Sequence, residues 1–354
     1  LKVVAINGEA WCHTLTGIER LAIEVTNYLD GMVKAGQMEL VVPANAENVP
    51  DLHNIKVVRL KQEAHFFPKW TQIDFQRYVL LHNRVSLDFA NTCPFFVPGF
   101  EFIHDIYAAL YPDDFNSSKR DRLIRLYSTL MYATIAKRAK KVFTVSEYTK
   151  QTIVERYHVN PDRIAVVYSG VTGYKQIEAD ESVFERLPQL KERAFYFTLG
   201  SLSVRKNLKW IARHAALYPD DFFAVSGKPL PSVADPDLEK IKDMPNVLMT
   251  GYLSDGEIKA LLRRCKAFVF PSYFEGFGLP PLEALSCGTP VIVSSRTSLP
   301  EIYGTAAHYI DPDESDVDLD KLLAEPVTDA APLLDKYNLK KTAERLYAAI
   351  FSGH

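Results

Sequence analysis

Short apolar runs alternate with longer amphipathic stretches along the whole chain. Residues 2–6, 39–42, 55–60, 142–145 and 164–168 are brief apolar runs that predict buried strands, as are 195–199, 222–226, 247–252, 267–270 and 290–293. One helix is predicted to open at Thr16 and run to about Lys34, with Ile18, Leu21, Ala22, Val25 and Leu29 on one face. Further helices are predicted at 66–83, 117–141, after Ser146, from about Leu208, after Ser254, at 282–286 and at 339–351. Thr16/Glu19, Ser254/Glu257 and Ser298/Glu301 have capping-box spacing, which marks helix starts. The aromatic stretch 66–83 has no clean phase, and the polar, weakly periodic residues 172–192 predict a linker. Strand–helix alternation on both sides of that join predicts an α/β protein with two parallel, doubly wound domains. Ligands of such sheets bind beyond the carboxyl ends of the strands.

Those ends carry the candidate chemistry. After the run 267–270 comes a loop with Glu275, Gly276, Phe277, Gly278 and Leu279, then Pro280, Pro281 and Glu283. Glycines allow close backbone approach, and free N–H groups at a helix start attract anions. The prolines lack an N–H, so Phe277, Gly278 and Leu279 are the candidate donors to a phosphate, with Glu275 and Glu283 left for hydroxyl groups. On the residues alone a plain strand–turn–helix, with Glu283 favouring the helix dipole, explains the stretch equally well.

Gly200 opens a second loop, in which Arg205 and Lys206 stand before a helix start. Two cations beside helix N–H groups suit a diphosphate, although the loop is not a Walker A and the pair also reads as exposed bases at a cap. The run 102–106 ends in His104-Asp105. A histidine there can donate or accept near neutral pH, or simply bond to backbone. His13, in the first loop, reads as a polar loop residue rather than a catalyst. Residues 90–96 form a turn with aromatics, equally an acceptor pocket or loop packing.

Taken together these segments resemble the retaining GT-B glycosyltransferases of family 4. Glu275 and Glu283, with Gly276, Gly278 and Pro280 between them, match the E-x7-E signature. Gly200 through Arg205, Lys206 and Asn207 match G-x-x-x-x-R-K-N, His104-Asp105 is similar to T-x-H-D, and Ser146 to Thr149 is similar to V-S-E-x-[ST]. Ser169-Gly170-Val171 resembles N-G-V with Ser169 for Asn, and of the usual glycine pair in the first loop only Gly17 is present.

The resemblance implies two Rossmann-like domains facing a cleft. Residues 1–172 are expected to bind acceptor, 173–335 nucleotide sugar, and 336–354 to return as a helix to the first domain. It implies a catalytic group of Glu275, His104, Arg205 and Lys206, and an acceptor site with His104 and Asp105. The implied donor site comprises Gly17, Gly200, Arg205, Lys206, Leu253, Glu275, Gly276, Phe277, Gly278, Leu279 and Glu283. It implies no metal, and no cofactor other than the nucleoside diphosphate sugar as co-substrate. No Asp-x-Asp metal site of the alternative glycosyltransferase fold is recognised.

Composition narrows the picture further. A chain of 354 residues, 47% hydrophobic and 24% charged, is of two-domain globular type. A net charge of −3 gives no field for nucleic acid. The four cysteines contain no C-x-x-C pair, which argues against zinc and a disulfide framework, and Cys265 and Cys287 are expected as small core residues. With no signal peptide or bilayer-length apolar run recognised, a cytoplasmic setting is expected. The stretch 117–141 holds eight Lys or Arg and one Asp. It is either a solvated face or a peripheral contact with the anionic inner face of the cell membrane, at about 1 kcal/mol per basic residue.

The expected activity is retaining transfer of a sugar from a UDP-, GDP- or dTDP-sugar to a glycan or lipid-linked acceptor in surface polysaccharide synthesis. Two alternatives share the architecture. A nucleotide-sugar 2-epimerase is disfavoured by the joint presence of the two glutamates and Arg205-Lys206. A non-catalytic nucleotide- or glycan-binding subunit is kept open by the weakened glycine loop.

Overall fold

Every strand pairing among the described residues is parallel, and the strands form two sheets. The structure is a computed structural model that describes residues 2–13, 16–65, 68–171, 177–227 and 238–351. The chain divides into two units, the first from residues 1–112, 123–170 and 337–354, the second from 113–122 and 171–336. The expected boundary at 172/173 lies outside the described residues.

The first sheet contains β1 (Val4–Asn7), β2 (Met38–Val42), β3 (Lys56–Arg59), β4 (Val85–Asp88), β5 (Phe100–Ile103), β6 (Lys141–Thr144) and β7 (Ile164–Val166), in the order β3-β2-β1-β4-β5-β6-β7. The second contains β8 (Tyr196–Leu199), β9 (Phe223–Ser226), β10 (Val247–Gly251), β11 (Phe268–Phe270), β12 (Val291–Ser294) and β13 (His308–Ile310), in the order β10-β9-β8-β11-β12-β13. Each sheet reverses its winding once, between β1 and β4 and between β8 and β11. These are the switch points at which open parallel sheets leave a crevice for ligand.

In the first unit Val4, Ile6 and Leu40 of the sheet pack with Leu21, Val25 and Leu29 of the helix Gly17–Asp30. Leu339, Ala343, Leu346 and Ile350 of the last helix, Leu339–Phe351, complete that core. Burying an aliphatic side chain of this size is worth about 1.5–3 kcal/mol, so the end of the chain is a structural part of the unit at its beginning. The second core gathers Tyr196, Leu208, Trp210, Phe223, Val225, Val269 and Ile292.

Several elements differ from expectation. The first helix stops at Asp30, before Gly31 rather than near Lys34. Helix-like residues 66–83 begin in the description at Pro68, Phe66 and Phe67 lying outside it. A π-helical turn, Trp70–Phe75, then precedes the α-helix Gln76–Leu81, and its extra residue per turn erases the 3.6-residue phase. Within the expected linker, residues 172–176 lie outside the description, and the short helices Val183–Arg186 and Gln189–Glu192 follow. The strand β4, central in its sheet, was not expected because its sequence Val-Ser-Leu-Asp has no apolar run. Its polar side chains are buried but bonded, Ser86 to Glu101 at 2.5 Å and Asp88 to Asn7 at 2.6 Å. Cys265 is buried as expected, whereas Cys287, just past a helix end, is only half-buried.

Candidate active site

The second unit's switch point is held together by Asn207. The chain leaves β8 at Leu199, passes Gly200, makes a single 3-10 turn at Val204–Lys206 and reaches Asn207 in the left-handed conformation, φ +58°. Asparagine tolerates that conformation better than most residues. Its side-chain oxygen accepts from the Trp210 N–H and caps the helix Leu208–Leu217. Its amide nitrogen donates to the carbonyls of Pro271 at 3.0 Å and Pro312 at 2.8 Å. The Tyr273 N–H donates to the Arg205 carbonyl at 2.8 Å. The loop after β8 is thereby stitched to the loop after β11. The fit is close at the neighbouring strand end also: a Cβ on Gly227 would fall 1.8 Å from the Gly200 carbonyl oxygen.

That stitching brings Lys206 to Glu275. Lys206 Nζ donates to Glu275 Oε1 at 2.6 Å and lies 4.5 Å from the Phe270 ring centroid. The two side chains are only 13% and 7% exposed. Burial alone raises the Glu275 carboxyl, but Lys206 and then Arg205 outweigh it and hold the group below its ordinary value. The ionised carboxylate therefore persists in a low-dielectric pocket beside two cations.

Gly278 takes φ +88°, and a Cβ there would meet Leu299 Cδ2 at 2.5 Å. The helix Leu279–Ser286 follows, with Pro280 and Pro281 in its first turn and Glu283 half-buried one turn in. Gly276 and Phe277 are buried in the same loop. The buried Tyr303 hydroxyl donates to the Gly278 carbonyl, and burial together with Glu275 and Glu283 keeps that phenol protonated. Leu253 is buried ahead of the Ser254-capped helix Asp255–Arg264. The expected capping box at Ser298/Glu301 is absent. Ser298 is helical in conformation and its hydroxyl donates to the Glu275 carbonyl at 2.9 Å instead.

In the first unit His104 follows β5 directly. Its Nε2 lies 2.6 Å from the Phe89 carbonyl, a bond that requires the proton on Nε2 and leaves Nδ1 as an acceptor. Burial lowers the ring below its ordinary value, so it is neutral near pH 7. The His104 N–H donates to Asn91 Oδ1 at 2.7 Å, and Thr149 donates to the His104 carbonyl at 3.3 Å. The Ser146–Thr149 segment thus caps its helix and fixes His104 together. Asp105 accepts the Tyr107 N–H at 3.0 Å. Gly17 opens the first helix, where Glu19 accepts the Thr16 N–H at 3.0 Å; Thr14 and Leu15 of that loop lie outside the described residues.

The sequence assigned no part in the site to Asn207, Tyr303, Thr297 or Ser298; Asn207 stood as the last letter of its motif and Ser298 as a capping-box serine. Asp-x-Asp does occur, at 235–237, 311–313, 316–318 and 318–320; 235–237 lies outside the described residues, and at Asp311-Pro312-Asp313 both carboxylates pair with Arg296 at 3.3 and 2.5 Å.

Two doubly wound parallel units, one with paired cations and a carboxylate at its switch point, make this an α/β enzyme architecture suited to phosphorylated ligands. The model of glycosyl transferases group 1 matches residues 180–339, and that of Glycosyltransferase Family 4 matches residues 16–172. The chain is 32% identical to the serotype-specific mannosyltransferase WbdA of Escherichia coli over 55% of its own length and 25% of WbdA. It therefore spans about a quarter of that relative. It is 26% identical to the O-antigen chain mannosyltransferase B of Escherichia coli over 86% of this chain and 85% of that one. The fold superposes on Anabaena HepE in complex with UDP and glucose, TM-score 0.69, 15% identity, all of both chains covered. The chain belongs to the group 1, family 4 glycosyltransferases of the GT-B fold.

Proposed function

We propose that the protein transfers a hexosyl group, mannosyl by the names of its relatives, from a nucleoside diphosphate sugar to a glycan or lipid-linked saccharide in surface polysaccharide synthesis, with retention of configuration. The observation that carries this reading is the buried Lys206–Glu275 pair, with Arg205 adjacent, at the β8/β11 switch point. Breaking the bond from the anomeric carbon to the β-phosphate oxygen moves an electron pair onto the diphosphate. Fixed cations and the start of the helix Leu279–Ser286 stabilise that charge without reorganising. Because these groups neutralise the leaving group, the reaction is proposed to need no metal and no further cofactor.

Glu275 meets the positive charge that develops at the anomeric carbon and holds sugar hydroxyls, and Glu283 holds the ribose. Gly200, Gly276, Phe277, Gly278 and Leu279 offer close backbone, and Leu253 a backbone contact to the base. In the first unit His104 offers Nδ1 as an acceptor for a hydroxyl, Asp105 fixes the adjoining turn, and Gly17 stands at a helix start. The acceptor oxygen replaces the phosphate oxygen on the anomeric carbon, and the hydroxyl proton leaves with the diphosphate.

A peripheral membrane site at the cytoplasmic face is part of the same proposal. Among the described residues no helix is long and apolar enough to cross a membrane. Leu123, Leu126 and Leu130, one face of the basic helix Lys119–Arg138, are 66%, 66% and 48% exposed. Leucines that insert while neighbouring Lys and Arg meet acidic headgroups would hold the protein beside a lipid-linked acceptor.

The test is transfer from radiolabelled GDP-mannose, UDP-glucose, UDP-galactose and dTDP-linked sugars to mannosides carrying a lipid-like aglycone. Transfer from one donor, with product of the donor's own anomeric configuration, is expected. Inverted product, or epimerised donor without transfer, overturns the reading.

A further inference from the structure

Thr297 holds a conformation its side chain disfavours. It follows β12 with φ +58°, in the left-handed region. For a β-branched residue this is a genuine outlier, and glycine is the ordinary occupant. Such strain persists where the surrounding structure imposes it, and it clusters at functional sites.

The hydroxyl at this position has a specific target. Thr297 Oγ1 accepts the Glu275 N–H at 3.2 Å. The next residue, Ser298, is fully buried and its hydroxyl donates to the Glu275 carbonyl at 2.9 Å. Two adjacent hydroxyls therefore grip the N–H and the C=O of one residue, and that residue carries the buried carboxylate of the Lys206 pair. The turn that presents them is itself anchored. The Arg296 N–H donates to Ser294 Oγ at 3.2 Å, and the Arg296 side chain is held by Asp311 and Asp313. The Ser298 hydroxyl is also diverted from the helix-capping role its sequence position offers.

We propose that Thr297 and Ser298 are positioning residues, a strained turn whose hydroxyls clamp the Glu275 backbone and set the direction of its carboxylate. This rests on the reading of Glu275 as the group that meets the sugar. A glycine at 297 would satisfy the backbone and lose the clamp, which accounts for a strained threonine where an unstrained residue would fold as well.

Thr297→Val, Thr297→Ser and Thr297→Gly separate the clamp from simple packing. The readouts are hydrogen exchange at the Glu275 amide, melting temperature, and kcat and KM for the donor. In Thr297→Val the Glu275 amide is expected to exchange about tenfold faster. Its kcat is expected to fall roughly 10- to 100-fold, with KM changed less than about threefold. Thr297→Ser recovers both. Thr297→Gly relieves the strain, so it melts no lower than wild type, yet loses amide protection and kcat as Thr297→Val does. Amide protection retained in the Val and Gly variants overturns the clamp, as does protection lost with kcat unchanged. If the wild-type chain transfers no sugar, the functional reading fails separately. In that event lost protection in Thr297→Val still upholds the grip on Glu275, and retained protection overturns it.

Discussion

Glu275→Gln is expected to reduce kcat by roughly 10²–10³-fold, the scale on which removing one preorganised electrostatic group acts in a buried site. Glutamine keeps the size, the backbone grip and a hydrogen-bond acceptor for Lys206. It loses the charge that faces the developing positive charge of the sugar. Because Lys206 and Arg205 hold the wild-type carboxyl below its ordinary value against the opposing effect of burial, the group is ionised throughout the neutral range. The defect should therefore persist from pH 6 to pH 8 instead of appearing on one limb of the pH profile. KM for the donor changes less than kcat, since the diphosphate contacts are intact. Full activity in this variant would remove Glu275 from the reaction.

Lys206→Met carries the second large effect, on stability as well as activity. The side chains of the pair are 13% and 7% exposed, so deleting the cation strands a buried carboxylate. Breaking a buried pair from one side costs about 3–5 kcal/mol. Without Lys206, Arg205 and the Ser272 hydroxyl are left to oppose burial, and the Glu275 carboxyl rises. The sign of the pH dependence follows. In the wild type the lowered carboxyl stabilises the fold above the ordinary glutamate value, and that contribution is lost as pH falls through the lower, folded value. In Lys206→Met the raised carboxyl takes up a proton on folding, so acidification stabilises the variant. The stability gap between the two is expected to be widest near pH 7–8 and to shrink towards pH 4, as chemical denaturation across that range can check. Methionine also removes a cation from the leaving-group site, and kcat falls with it. A gap that widens on acidification would contradict this description of the pair.

The apolar runs made most of the fold legible, because a parallel strand covered on both faces must be apolar along its length. Two strands, β4 and the short β13, were not foreseen, and β4 shows the limit. Ser86 and Asp88 lie in a central strand because Glu101 and Asn7, distant in sequence, satisfy them, and no local pattern records such partners. The stretch 66–83 was recognisable as helical but not its phase, because a π turn changes the period partway. Of the candidate site, Arg205, Lys206, Glu275 and Glu283 are legible through motif spacing. What the motifs do not convey is that Lys206 and Glu275 pair, that Asn207 stitches their loops together, and that Thr297 and Ser298 hold the Glu275 backbone. Ser298 and Glu301 read as a capping box because the spacing is right, yet the hydroxyl finds a tertiary partner instead.

The central claim is that the β8/β11 switch point of the second unit binds the donor's diphosphate through Lys206. Thermal unfolding of the wild type and Lys206→Met, each with millimolar UDP, GDP, dTDP or ADP, tests it most directly. A nucleotide at 100 times its Kd adds about 2.7 kcal/mol to stability. The prediction is that one of the four raises the wild-type melting temperature by several degrees and that Lys206→Met loses most of that rise. A wild type that responds to none of them, or a variant that responds equally, would contradict the claim.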